Sequence, residues 1–257
     1  MNRAFRSCAL SAALALPATA AFAGDDVYSC AGLPSQAQLK SALAAARLQS
    51  NGGFNLDMWG TVVNRDGVVC AVAFTGAGVG AQWPGSRVIS AQKANTANAF
   101  SLPGLSLSTA NLWAAVQPGG SLFGLQLSNP VATDVAYKGP TASYGSNADP
   151  MVGKKIGGVN VFGGGLALYN SANVLVGAVG VSGDTSCADH NIAWRTRSTM
   201  NLDYVPGGVG LAGRADNINY QSLVPVPSLR ADFSHPICAI AGVDGVSAIS
   251  ASLPLTK

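Results

Sequence analysis

Between Val174 and Arg197 the chain sets one histidine, one cysteine, a tryptophan and two arginines within a few turns of one another. Small and β-branched residues from Val174 to Val181 predict a buried strand. Ser182-Gly183-Asp184 predicts a turn, and a helix is expected to open at Asp189-His190. An imidazole at a helix start is held neutral by the dipole and can therefore coordinate a metal, so His190 is the sharpest candidate ligand. The plainer role for it is a first-turn residue bonded to a neighbouring loop. His235, the only other histidine, precedes Pro236 and stands close to Cys238. It approaches His190 if the C-terminal region folds back through a Cys187–Cys238 bridge, and is otherwise a surface turn residue. Asp189 is a candidate helix cap. Ser182 lacks the G-x-S-x-G frame of a nucleophile elbow.

Cationic candidates lie elsewhere. Lys93 and Thr96 share a helical segment, and Lys93 can meet a carboxylate as a point charge. Arg87, six residues earlier, shares that face only loosely. Arg195 and Arg197 can hold carboxylates bidentately, although most such arginines are structural. Gly163-Gly164-Gly165 could turn backbone N–H groups toward an anion, but neither G-x-G-x-x-G nor a P-loop lysine is present, and a tight turn is the simpler role.

These residues need elements to position them. Ser35 to Ser50 has helical spacing, with Ser35 as N-cap and Gly52-Gly53 as the stop. Met58–Val63 and Val68–Phe74 are β-rich runs joined at Asn64-Arg65-Asp66-Gly67, a hairpin signal. Pro84–Phe100 is expected to be a helix whose Ala91, Ala94 and Ala97 allow close packing, and Ser106–Val116 a shorter one. The stretch from Gln126 to Gly158, with three prolines, reads as a long ordered loop. Val159–Phe162, Leu166–Tyr169 and Val174–Val181 follow as strands. Asn201 to Lys257 is irregular apart from strand-like residues at Ile237–Val243. The order implies an α+β sandwich, a mainly antiparallel five-stranded sheet covered by helices.

The N-terminus reads as an address. Arg3 and Arg6 precede an apolar run from Cys8 to Ala21, and Ala21-Phe22-Ala23 has the form of a cleavage site. The run is too short to span a bilayer. Residues 1–23 are expected to be a signal peptide, residues 24–200 the domain, and residues 201–257 a tail packed upon it. The product would be periplasmic or secreted. Without Arg3 and Arg6 the formal charge of +3 falls to +1, which argues against nucleic acid as the partner. A charged fraction of 11% against 48% hydrophobic residues implies extensive burial, partly at subunit contacts. Once Cys8 is removed, Cys30, Cys70, Cys187 and Cys238 form an even set in an exported chain. No pair has C-x-x-C spacing, so neither a zinc nor a redox site is expected, and of the three possible pairings we favour Cys30–Cys70 and Cys187–Cys238.

Four of these segments together suggest a family. The hairpin Val62-Val63-Asn64-Arg65-Asp66-Gly67, the helix Ala91-Gln92-Lys93-Ala94-Asn95-Thr96-Ala97, the turn Gly163-Gly164-Gly165 and the strand Val176–Gly183 before Asp189 occur in fixed order. Over about Gln38 to Arg197 the chain resembles the GlcG/HbpS family of haem-binding proteins, also described as a haem-degrading domain. Asn64 stands where that family commonly has Asp, and a long insertion and a cysteine-tied tail are additions. The resemblance implies a profilin-like sandwich, frequent homo-oligomers and haem bound near the surface or between subunits. Haem iron takes His, Met, Cys or Tyr ligands. His190 is then the candidate axial ligand, with Lys93, Thr96, Arg87 and Arg195 as candidate contacts to haem or a small carboxylate. The expected function is haem sequestering or sensing. The alternatives are binding or turnover of a glycolate-like acid, and an oligomeric scaffold.

Overall fold

The computed structural model describes residues 29–221, 231–238 and 246–257. The expected signal peptide and residues 239–243 of the strand-like stretch lie outside them; Ile237 and Cys238, which begin that stretch, are not in a strand.

Helix α1 (Gln36–Arg47) starts at a capping box in which the Ser35 hydroxyl accepts from the Gln38 amide and the Gln38 side chain accepts from the Ser35 amide. Its buried Leu39, Ala42, Leu43 and Ala46 follow the helical period. The Asn51 side-chain amide then donates to the Ala46 carbonyl at 2.9 Å, satisfying the helix end.

The sheet is built from β1 (Trp59–Asn64), β2 (Val69–Phe74), β3 (Gly165–Tyr169) and β4 (Leu175–Ser182) in the order β2-β1-β4-β3, with every pair antiparallel. Alternation sorts its side chains. Val62, Val179 and Val181 face α1 and α5 (Ser186–Thr199), whereas Trp59, Val63 and Ala178 face α2 (Ser86–Phe100). The sheet is thus the middle layer of a sandwich. Helix α2 packs against β4 through Ala91, Ala94 and Ala97, all fully buried. A methyl group at Gly180 would lie on the Ser90 carbonyl and 2.5 Å from the Ala94 nitrogen, so only glycine permits this approach.

The sheet has four strands rather than the expected five. Val159–Phe162 is not a strand because its amides are claimed by side chains: Asn160 N–H by Thr96 Oγ1, Val161 N–H by Gln126 Oε1, and Phe162 N–H by Asn160 Oδ1. Likewise Ser106–Val116 is not one helix but two 3₁₀ turns, Thr109–Leu112 and Ala114–Val116. The long loop carries only single turns: α3 (Leu125–Ser128), α4 (Thr133–Ala136) and Thr141–Ser143. In the tail, β5 (Asn219–Tyr220) and β6 (Ser234–His235) pair in parallel, and α6 (Val246–Ser252) precedes Pro254, whose carbonyl accepts from the Trp194 indole at 2.9 Å. Bridges join Cys30 to Cys70 and Cys187 to Cys238. None of the helices, among the described residues, is long and apolar enough to cross a membrane.

Candidate functional site

Three of the four motif segments meet where α2, the end of β4 and the start of α5 converge; the Asn64 hairpin lies at the other end of the sheet, opposite Gly177 at the start of β4. Lys93, only 1% exposed, donates to Asp189 Oδ2 at 2.7 Å and to the Val181 carbonyl at 3.1 Å. Asp189 Oδ1 accepts from the Asp184 amide at 2.8 Å. Burial pushes the Asp189 carboxyl up to about 6, and the Lys93 ammonium limits that rise. Asp189 is therefore an ion-pair partner and not the helix cap. Helix α5 opens three residues earlier than expected, at Ser186, and Thr185 caps it by accepting from the Ala188 amide at 3.2 Å. Asp184, Thr185, Ser186 and Asp189 are all cap-competent residue types, so composition alone does not select the one that caps.

The glycine turn lies against this junction. Gly164 has φ +117°, and a side chain there would strike the Val181 carbonyl. Gly163 N–H donates to Ser186 Oγ at 2.6 Å and Gly165 N–H to Thr109 Oγ1 at 2.9 Å. Both amides are spent internally, which makes the segment a tight turn. Thr96 is equally committed, donating to the Gln92 carbonyl while accepting from Asn160.

The arginines hold the molecule together. Arg87 is fully buried, makes a bidentate pair with Asp149, donates to the Ala136 carbonyl at 2.6 Å and lies over the Tyr144 ring at 3.6 Å. It thereby anchors the long loop, and it points away from the Lys93–Asp189 pair. Arg195 donates to the Ser50 carbonyl at 2.9 Å and to the Asn51 side chain. Arg197 forms the bidentate carboxylate pair expected of it, with Asp216 of the tail at 2.5 and 2.9 Å. Asp149 and Asp216 carry no signal in the sequence: they sit 62 and 19 residues from their arginines, in segments without period.

His190 is wholly buried, beside Trp194 with ring centroids 6.1 Å apart. Among the described residues neither ring nitrogen finds a hydrogen bond of acceptable geometry, although the Asn217 side chain stands close. Burial lowers its pKa to about 3, so the imidazole is neutral at any physiological pH. His235 comes to the same end of α5. Its Nδ1 contacts the Pro236 carbonyl at 2.7 Å and its Nε2 the Ser186 hydroxyl at 2.8 Å, which fixes Nδ1 as the protonated nitrogen and Ser186 as the donor. Burial lowers its pKa to about 4. Ser186 was not among the sequence candidates.

Haem chemistry fits this arrangement in one respect. A neutral imidazole with orphaned nitrogens is a competent axial donor, and an unsatisfied buried polar group calls for an explanation. Lys93 and Arg87, by contrast, are buried in ion pairs and not free for a propionate in this conformation, while the partly exposed Arg195 is held through Nη1 by the Ser50 carbonyl and Asn51. Three exposed apolar side chains border the region: Phe162 adjoins the glycine turn, and the Val161–Gln126 bond brings in the loop that carries Phe123 and Leu127. A separate open cleft of about 520 Å³ lies between α1 and the end of α5, lined in part by Leu33, Gln38, Ala42 and Met200, and contains none of these residues.

The match to known proteins covers this framework. The model of the haem-degrading HbpS-like proteins matches residues 35–197. Similar solved structures include the haem complex of PduOC (22% identity, 65% of this chain and 91% of that one, TM-score 0.45). Others are the Klebsiella pneumoniae protein ORFY (26%, 65% and 90%, 0.43) and HbpS (15%, 68% and 94%, 0.39). No curated protein matches significantly. The tail that buries His190 falls outside the matched residues, while the hairpin, α2, glycine turn and β4–α5 junction fall within them. The chain belongs to the family of haem-degrading HbpS-like proteins.

Proposed function

We propose that this protein binds haem after export and serves to sequester or sense it. The observation that carries this reading is the family membership across residues 35–197. His190 is the candidate axial donor. It is sealed, so iron meets it only where the tail is displaced from α5. Haem would supply the iron and its redox chemistry. The chain supplies a neutral ligand, an apolar wall and a tail that excludes water. The exposed Phe123, Leu127 and Phe162 offer the porphyrin face an apolar seat, a surface that a second copy of the chain could also cover. The leader motif and the two disulfides support an oxidising, extracytoplasmic setting.

A melting experiment followed by circular dichroism separates this reading from small-acid binding. Haemin should raise the midpoint in a concentration-dependent way, and glycolate or similar carboxylates should leave it unchanged. A shift with the carboxylates and none with haemin would overturn the reading.

A further inference from the structure

The Cys187–Cys238 bridge and His235 form a cluster that the haem reading does not use. One potential ligand atom from each of the three residues lies within 4.8 Å of the other two. Cys187 and His235 are buried, and Cys238 is half-buried, which leaves one side of the cluster open. The histidine is already set for coordination. Its Nδ1–H donates to the Pro236 carbonyl, so the lone pair is on Nε2, where the Ser186 hydroxyl now meets it. Metal-binding imidazoles characteristically carry just such an outer hydrogen bond to a carbonyl, which fixes tautomer and ring orientation. Cys187 occupies the first turn of the 14-residue helix α5, where the dipole favours a thiolate.

We propose that reducing the Cys187–Cys238 bridge creates a metal site from the two sulfurs and His235 Nε2, suited to a thiophilic divalent cation such as Zn²⁺. Two thiolates and one imidazole are a zinc-type donor set that leaves a fourth, open position for water. A tetrahedral zinc ion spaces such donors by roughly 3.3–3.8 Å, within reach of side-chain rotation from the present arrangement. The electrons come from a dithiol. Its two sulfurs join in a disulfide as the Cys187–Cys238 bond breaks to two thiols, and the incoming cation displaces one proton from each thiol to solvent. The ion would then replace the covalent bond as the tie between tail and α5. The inference stands independently of haem.

Co²⁺ is the probe, because tetrahedral thiolate coordination gives it intense visible bands and a sulfur charge-transfer band. The full chain carrying Cys30→Ser and Cys70→Ser is reduced with a dithiol, desalted without air and titrated. One Co²⁺ per chain should develop these bands and be displaced by Zn²⁺, and the oxidised chain should show none. His235→Ala should weaken binding at least tenfold. Absent bands in the reduced chain, equal uptake by the oxidised chain or unchanged affinity in His235→Ala would each overturn the proposal. If the double variant does not fold, reduced wild type and reduced His235→Ala decide the matter by the same bands, since the other bridge has no part in an imidazole-dependent signal.

Discussion

At the residue scale, the family motif residues turn out to be fasteners. Asn64, in place of the usual Asp, still accepts from the Asp66 and Val68 amides at 3.0 Å each, and its extra amide donates to the Ser29 carbonyl beside the Cys30–Cys70 bridge. Arg65 reaches the end of α2 and donates to the Asn98 carbonyl and side chain. Lys93 locks α2 to α5. Asp189→Ala should leave that ammonium buried and unpaired, costing about 3–5 kcal/mol, whereas Thr185→Ala removes only a cap and should cost about 0.5–2 kcal/mol. Urea titration of the two variants checks the ranking, and an equal or smaller cost for Asp189→Ala would refute a structural ion pair. Acid should act through the histidines. With folded pKa values lowered to about 3 and about 4 from 6.5, His190 and His235 contribute stability that is present above pH 6.5 and lost as pH falls toward those values. Asp189, raised to about 6, works in the opposite sense, adding stability as pH falls through 6 toward 3.8. Two groups oppose one, so the melting temperature should drop between pH 6.5 and 4.5. His190→Leu should make that drop shallower, and an unchanged slope would show that His190 is not buried neutral.

At the element scale, the interface between α2 and β4 rests on alanines meeting Gly180. Ala94→Leu should overpack it and destabilise by about 1–3 kcal/mol, read from the denaturant midpoint. A neutral effect would place that helix face in solvent. This contact is legible in the sequence, because small residues at helical spacing and a glycine-rich strand are local patterns. So are the capping box of α1 and the hairpin at Asn64. The absence of a fifth strand is not legible, for a reason that is tertiary: Val159–Phe162 has strand composition, yet Thr96 and Gln126 take its amides. Side chains from 64 and 35 residues away decide that segment. The start of α5 is equally hidden, because four cap-competent residues lie there and only packing against Lys93 diverts Asp189.

At the scale of the whole molecule, the C-terminal tail lies outside the matched residues 35–197. Among the described residues its ties to the domain include the Arg197–Asp216 pair, the Ser106–Asp216, Trp194–Pro254 and Ser186–His235 hydrogen bonds and the Cys187–Cys238 bridge. Of these only the bridge is legible in the sequence, from cysteine parity in an exported chain; Asp216 lies in a stretch with no period to mark it as buried. The unfolded but unreduced protein, lacking residues 1–23, should therefore show no reactive thiol on labelling, and two labelled thiols per chain would refute the paired state. Each bridge should contribute about 2–4 kcal/mol by restricting the unfolded chain. The tail also covers His190, the one sealed imidazole whose nitrogens lack well-aligned partners among the described residues, so the question of ligand binding reduces to whether iron reaches it. Titration of the purified chain with haemin, followed in the Soret region for wild type and His190→Ala, is the most direct test. Haem binding through His190 predicts a shifted, saturable Soret band in the wild type that is lost or displaced in His190→Ala, with His235→Ala retaining it. A wild type that gives no saturable Soret shift in either oxidised or reduced form would contradict haem binding itself, and a spectrum unchanged by His190→Ala would remove His190 from the iron.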